Sequence, residues 1–154
     1  EGEESSRDSS DNSPPCDLGL MERLLVTHPM WFLPGIQRSG AVHLLQGKEE
    51  GTFIVRGSSQ PNTMAVSVRL PQDTGHYIEH YLIQSHDNVL SLESSRFTFG
   101  SIPSLIAHYA QCCDELPVQL MLPRVLREAN NRKKLSSLAL LGQEFWSYVS
   151  SPAL

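Results

Sequence analysis

The sequence predicts an α+β fold, a central antiparallel sheet flanked by two helices, with extra helices on its N- and C-terminal sides. Three observations carry this expectation. Four runs rich in β-forming residues, "TFIVR", "MAVSVRL", "YIEHYLIQ" and "VLSLES", succeed one another from Gly51 onward. Their linkers, "GSSQPNT", "PQDTG" and "SHDN", carry the Gly, Pro, Asn and Asp that turn chains and are short enough for antiparallel neighbours. Stripes of apolar residues at helical spacing lie before and after the four runs, which places helices on both sides of one sheet.

Along the chain, residues 1–16 are acidic, rich in Ser and nearly free of apolar side chains. Such a segment buries too little surface to offset the entropy of ordering, so a disordered tail is expected. Residues 17–28 read as an amphipathic helix, with Asp17 as N-cap, Leu18, Met21, Leu24 and Leu25 on one face, and a stop at Pro29. Trp31 and Phe32 open an extended piece ended by Pro34 and Gly35. Ile36, Ala41, Leu44 and Leu45 then share a helical face that stops at Gly47. After the strands, Ile102, Leu105, Ile106 and Tyr109 form a second helical stripe, and "ELPVQLMLP" closes a domain expected over 29–123. Residues 124–154 read as a basic linker and a C-terminal amphipathic helix lined by Leu135, Leu138, Leu141, Phe145 and Tyr148. The two flanking helices need cover for their apolar faces, so they are expected to pack on each other or on the back of the core; docking of the C-terminal helix into another protein is the rival.

Composition narrows the function. The 154 residues are 40% hydrophobic and 19% charged, as in globular domains, and no apolar run approaches the roughly 20 residues that span a bilayer. No secretory signal pattern opens the chain. The formal net charge of −5 is accounted for by Glu1 to Asp17, where six acids face Arg7 alone. The balanced remainder argues against a nucleic-acid surface, which needs a basic face. Cys16, Cys112 and Cys113 make no disulfide framework and suit a reducing, cytoplasmic compartment. Cys112 and Cys113 lie four and five residues after His108 without the paired spacing of a zinc site, and without a nucleophile motif, so neither metal nor cofactor nor catalysis is expected.

Chemistry is concentrated at Arg56 and the small residues next to it in the chain. A buried-strand pattern, Phe53-Ile54-Val55, ends on an arginine, and arginine is almost never fully buried without a partner. Its guanidinium is a rigid fork that matches two oxygens of a phosphate. Gly57, Ser58 and Ser59 offer hydroxyls and backbone N–H groups to the remaining oxygens. The alternative is an internal ion pair with a carboxylate such as Glu79.

From Trp31 to about Pro123 the chain resembles a Src-homology-2 (SH2) domain. The resemblance rests on Trp31-Phe32, Ile36-Gln37-Arg38, Leu44-Leu45, Gly51-Thr52-Phe53-Ile54-Val55-Arg56, Val66-Ser67-Val68, His80-Tyr81-Leu82-Ile83 and Leu105 to Tyr109, in that order. It implies a module that binds phosphotyrosine in a partner's peptide. Arg56 would hold the phosphate through two hydrogen bonds, Arg38 would reach the phosphate and the ring face, Ser58 and Ser59 would donate to phosphate oxygens, and His80 would line the pocket or serve as a structural histidine. Tyr81 would help form the groove for residues after the phosphotyrosine, or belong to the core; Leu82 and Tyr109 are placed in that groove with it. Two departures bear on affinity: Leu82 stands where many members carry Lys or Arg, and Glu79 adds a negative charge. Glu115, where many members have Gly, bears on peptide selectivity, and the loop after Arg56 is one residue short.

The flanks, "LLVTHPMW" ahead and "LPRVLREA" with "LSSLALLGQEFW" behind, resemble the Ras and Rab interactor family. That resemblance implies a non-catalytic recruiting module. It would couple tyrosine-phosphorylated partners such as receptor tyrosine kinases to a parent protein that carries Rab exchange and Ras-association domains. The parent would be cytoplasmic and recruited to the plasma membrane or early endosomes. The alternative is a scaffold with weak or no phosphotyrosine binding that presents its flanking helices to a partner.

Overall fold

The computed structural model describes residues 18–71, 77–93, 95–112 and 114–148. The N-terminal tail, Asp17, Cys16, Cys113 and the side chain of Tyr148 lie outside the described residues, as does most of the "PQDTG" linker.

Two short helices, α1 (Leu20–Val26) and α2 (His28–Trp31), meet at Thr27. Pro29 falls in the first turn of α2, where its missing N–H costs nothing, so it begins a helix where a stop was expected. Trp31 consequently ends a helix, and the extended piece shrinks to β1 (Phe32–Leu33). Helix α3 (Arg38–Leu45) comes after it. Strands β2 (Phe53–Gly57), β3 (Met64–Arg69), β4 (Ile78–His86) and β5 (Val89–Leu92) come next, then α4 (Ile102–Gln111). The four sequence runs thus become the four long strands. Asp87 and Asn88, at φ 54° and 66°, make the tight turn that joins β4 to β5.

The sheet order is β1-β2-β3-β4-β5. β2 to β5 are antiparallel as expected, but β1 runs parallel to β2 and makes the sheet mixed. In the ladder Arg56 lies opposite Ala65, and Ala65 opposite Leu82; Ser67 lies between Ile54 and His80. Directly opposed residues share a face. One face therefore presents Ile54, Arg56, Ala65, Ser67, His80 and Leu82, and the other Phe53, Val55, Val66, Val68, Glu79 and Tyr81. Helix α3 covers the first; the ring of Trp31 packs on the second, tilted against Phe53 at 5.6 Å.

Two glycines mark close backbone approaches. A Cβ on Gly51, at φ +89°, would sit 2.7 Å from the carbonyl of Gln119, where the Met121 N–H bonds to the Gly51 carbonyl. At Gly57 it would sit 2.6 Å from the carbonyl of Pro34. That contact seats the chain entering α3 against the end of β2, next to Arg56.

The C-terminal flank is α5 (Arg124–Glu128), α6 (Arg132–Ala139), a 3-10 turn (Gly142–Glu144) and α7 (Phe145–Tyr148). The single helix expected here is broken: α6 ends at Ala139 with Leu140 as its 85% exposed C-cap, and Gly142, at a left-handed φ of +57°, turns the chain into the 3-10 turn. Both flanks join the main core. Leu24, Leu126, Leu135, Phe145 and Trp146 are buried in one cluster with Trp31, Phe53 and Ile106. Polar contacts tie the flanks together. The Trp146 indole N–H donates to the Met30 carbonyl at 2.8 Å, and Arg23 Nη1 donates to the carbonyls of Leu126 (2.8 Å) and Ala129 (2.7 Å). The flanking helices therefore cover part of their apolar faces on each other and on the core, while Met21, Leu25 and Leu141 of the expected stripes stay exposed.

Candidate functional site

Arg56, in the last part of β2, is 4% exposed. Its Nε donates to Ser67 Oγ at 2.8 Å, Nη1 to the Gly57 carbonyl at 3.0 Å, and Nη2 approaches His80 Nδ1 at 3.1 Å. A guanidinium only donates, so His80 Nδ1 must be an unprotonated acceptor. The Ser67 hydroxyl, 2.7 Å from the same nitrogen and already accepting from Arg56, then donates to it. The imidazole is thereby fixed as the tautomer with its proton on Nε2. Its pKa is lowered to about 4, first by burial, then by the positive charges of Arg38 and Arg56. The Arg56 guanidinium is itself held below its ordinary value by burial and by Arg38.

Three of the five guanidinium N–H bonds are used, which leaves one on each terminal nitrogen. No carboxylate among the described residues pairs with Arg56. Glu79, the internal partner that the sequence offered, lies opposite Val68 on the other face of the sheet.

A cavity of about 370 Å³ opens over this group. Arg38, Ser58, Ser59 and His80 line it with Arg56, so the structure brings all five phosphate residues expected from the sequence to one place. Arg38 is exposed at the first position of α3, an eight-residue helix whose N-terminus has no side-chain cap, so the positive end of the helix dipole adds to the two guanidinium charges. The β2–β3 loop is partly self-satisfied. Ser58 N–H donates to the Thr63 carbonyl at 3.1 Å and Gln60 N–H to Ser58 Oγ at 3.1 Å. The expected row of open backbone N–H groups narrows to that of Ser59, with the hydroxyls of Ser58 and Ser59 beside it. The pocket also holds Gln37, Gln60, Ala65, Leu82 and Glu93. Two remaining guanidinium N–H groups of Arg56, a second arginine and two serines thus surround one cavity.

Comparison with known proteins agrees with this geometry. The SH2 domain model matches residues 31–109, about half of the chain and the whole span from Trp31 to Tyr109.

The chain belongs to the SH2 domain family.

SH2 domains are non-catalytic modules that bind phosphotyrosine peptides. The chain is 99% identical over 154 residues to Protein sprint of Drosophila melanogaster, covering all of this chain and 9% of that protein. It is 35% identical over 147 residues to Ras and Rab interactor 2 of Mus musculus (96% of this chain, 16% of that protein). It thus spans under a fifth of the curated relatives it matches. Among solved structures, CED-2 superposes with a TM-score of 0.52 at 26% identity, over 60% of this chain and 58% of that one. The VAV1 SH2 domain, solved with a tyrosine-phosphorylated peptide from SLP76, shares the fold with a TM-score of 0.50 at 22% identity, over 60% of this chain and 68% of that one.

Within this SH2 frame, three residues differ from their sequence-based placement. Leu82 lines the Arg56 cavity, where the sequence placed it in a peptide groove, because it pairs with Ala65 on the Arg56 face. The pocket's acid is Glu93, not Glu79; Glu93 comes directly after β5, and its N–H bonds to the Leu82 carbonyl at 3.0 Å. Tyr109 is fully buried and lines no groove. Its hydroxyl donates to Glu115 Oε1 at 2.5 Å and lies 3.3 Å from Ser95 Oγ, and burial with that carboxylate pushes its pKa up to about 12. Glu115 is held below the usual carboxylate range, mainly by the Tyr109 hydrogen bond, so it anchors the turn after α4. Tyr81 is half-buried on the face opposite the Arg56 cavity, packed against the core. Sequence reasoning missed Ser67 and Glu93. Ser67 interrupts an apolar strand, which was a signal, but Glu93 carries none until β5 is registered against β4.

Proposed function

We propose that this chain captures a phosphotyrosine side chain of a partner peptide in the Arg56 pocket. One observation carries the reading: a buried guanidinium with no carboxylate partner among the described residues, whose two remaining N–H bonds belong to its two terminal nitrogens, beside a cavity lined by Arg38 and two serines. Phosphotyrosine brings about −1.5 to −2 charges at pH 7 and enough length to reach a recessed arginine. Arg56 and Arg38 carry the phosphate, Ser58 and Ser59 donate to its outer oxygens, and neutral His80 orients Arg56 through Nδ1. The boundaries 29–123 for the binding unit and 124–154 for its support belong to the same proposal. Titration of matched tyrosine peptides, phosphorylated and not, tests it; equal affinity for both ends the reading.

The wider role rests on the likeness to Ras and Rab interactor proteins. The chain recruits a parent protein with Rab exchange activity to tyrosine-phosphorylated receptors in endocytic signalling, at the plasma membrane or early endosomes. Recruitment of the full-length protein to stimulated receptors should disappear with Arg56→Ala; retained recruitment would separate this chain from that role.

A further inference from the structure

We propose that His108, Cys112 and Asp114 form a site for a divalent transition metal, Zn²⁺ in the first place, at the C-terminal end of α4. In the sequence, the spacing from His108 to Cys112 supplies only one pair of ligands, too few for a zinc signature. Folding adds the third. A ring nitrogen of His108, Cys112 Sγ and a carboxylate oxygen of Asp114 all lie within 4.8 Å of one another.

The geometry is close to what the metal needs. Cys112 Sγ is 3.8 Å from His108 Nε2. A tetrahedral ion with bonds of about 2.3 Å to sulfur and 2.0 Å to nitrogen holds these atoms about 3.5 Å apart. Asp114 is exposed on the bend after the helix, so its carboxylate can close the remaining gap. The His108 ring is held in place by Phe97, Phe99 and Tyr109, with centroids 4.9, 5.2 and 4.8 Å away. The cation sits at the negative end of a ten-residue helix, where the dipole favours positive charge. One thiolate and one imidazole select against Mg²⁺ and Ca²⁺, which take oxygen ligands. On binding, the Cys112 thiol loses its proton to solvent, and water fills the fourth position.

Co²⁺ serves as the probe, added to the 154-residue chain carrying Cys16→Ser and Cys113→Ser so that Cys112 is its single thiol. The expected result is a one-to-one complex with a thiolate-to-cobalt charge-transfer band, bleached by Zn²⁺, and a thermal midpoint raised by Zn²⁺. The band disappears with Cys112→Ser, and Asp114→Asn, an exposed position, weakens binding by about tenfold or more. No band in the single-thiol protein overturns the proposal. So does a band in the Cys112→Ser chain with Cys113 retained that equals the parent's, or an Asp114→Asn affinity equal to the parent's.

Discussion

Replacing Arg56 with Met separates binding from stability more sharply than any other change. The side chain is 4% exposed, carries a full charge, and has no carboxylate partner among the described residues, while Arg38 adds repulsion. In the free domain the guanidinium is therefore a cost, offset in part by its bonds to Ser67, Gly57 and His80. A methionine of similar length fills the space without the charge, and replacing buried charged groups by apolar ones of like volume is often neutral or stabilising. The Ser67 hydroxyl still donates to His80 Nδ1, and the acceptor that loses its Arg56 donor is the carbonyl of half-buried Gly57 at the edge of the cavity. Binding loses the two remaining N–H contacts to phosphate. At about 1.5–3 kcal/mol for each charge-assisted hydrogen bond, that is about 3–6 kcal/mol, or at least about a hundredfold in Kd. Calorimetric titration with a phosphotyrosine peptide and thermal unfolding of the same two proteins measure both quantities. The expected outcome is a Kd raised by a hundredfold or more with an unchanged or higher Tm. A Kd within threefold of the parent, or a Tm lowered by about 3 °C or more, roughly 1 kcal/mol for a chain of about 150 residues, would refute the reasoning.

The same geometry sets four other outcomes. His80 should titrate near 4 in the free protein and higher once a phosphate neutralises its arginine neighbours, as imidazole NMR signals would report; a midpoint near the ordinary 6.5 contradicts the assigned tautomer network. Because the unfolded chain takes up that proton at about 6.5 and the folded chain only at about 4, His80 makes stability fall as pH drops through that window, which denaturant titrations at several pH values would show. Glu93→Gln removes the one carboxylate that lines the Arg56 cavity among the described residues and should tighten phosphopeptide binding several-fold at low salt, with the gain shrinking as salt rises; tighter binding by the parent would reverse the sign of the assigned charge effect. Trp146→Ala deletes a buried indole and its bond to the Met30 carbonyl, and should lower the unfolding free energy by about 3–5 kcal/mol in urea titrations. A loss under about 1 kcal/mol would mean the C-terminal flank does not support the core.

Much of this fold is legible because its signals are local. β-branched and aromatic runs between Asn-, Asp- and Gly-bearing turns mark the four long strands, and the apolar stripe from Ile102 to Tyr109 marks α4. Arg56 announces itself as a charge at the end of a strand that has to be buried. Where reading fails, the deciding interaction lies elsewhere in the chain. Pro29 stops one helix and starts another, and nothing in the stripe from Leu135 onward shows that Gly142 takes a left-handed turn.

By itself, the sequence determined that a helix–sheet–helix unit exists, that Arg38, Arg56, Ser58, Ser59 and His80 are candidates for one anion, and which family the chain resembles. Only the tertiary structure decided who shares a face with whom. Side chains alternate along a strand, so whether Leu82, Glu79 or Glu93 meets Arg56 depends on pairing register across the sheet, not on any one strand. The same holds for Tyr109, which helical periodicity placed on a stripe but only packing could bury, and for the flanks, where Leu24, Leu135, Phe145 and Trp146 joined the core by burial of apolar surface and Arg23 and Trp146 reached backbone carbonyls more than a hundred residues away.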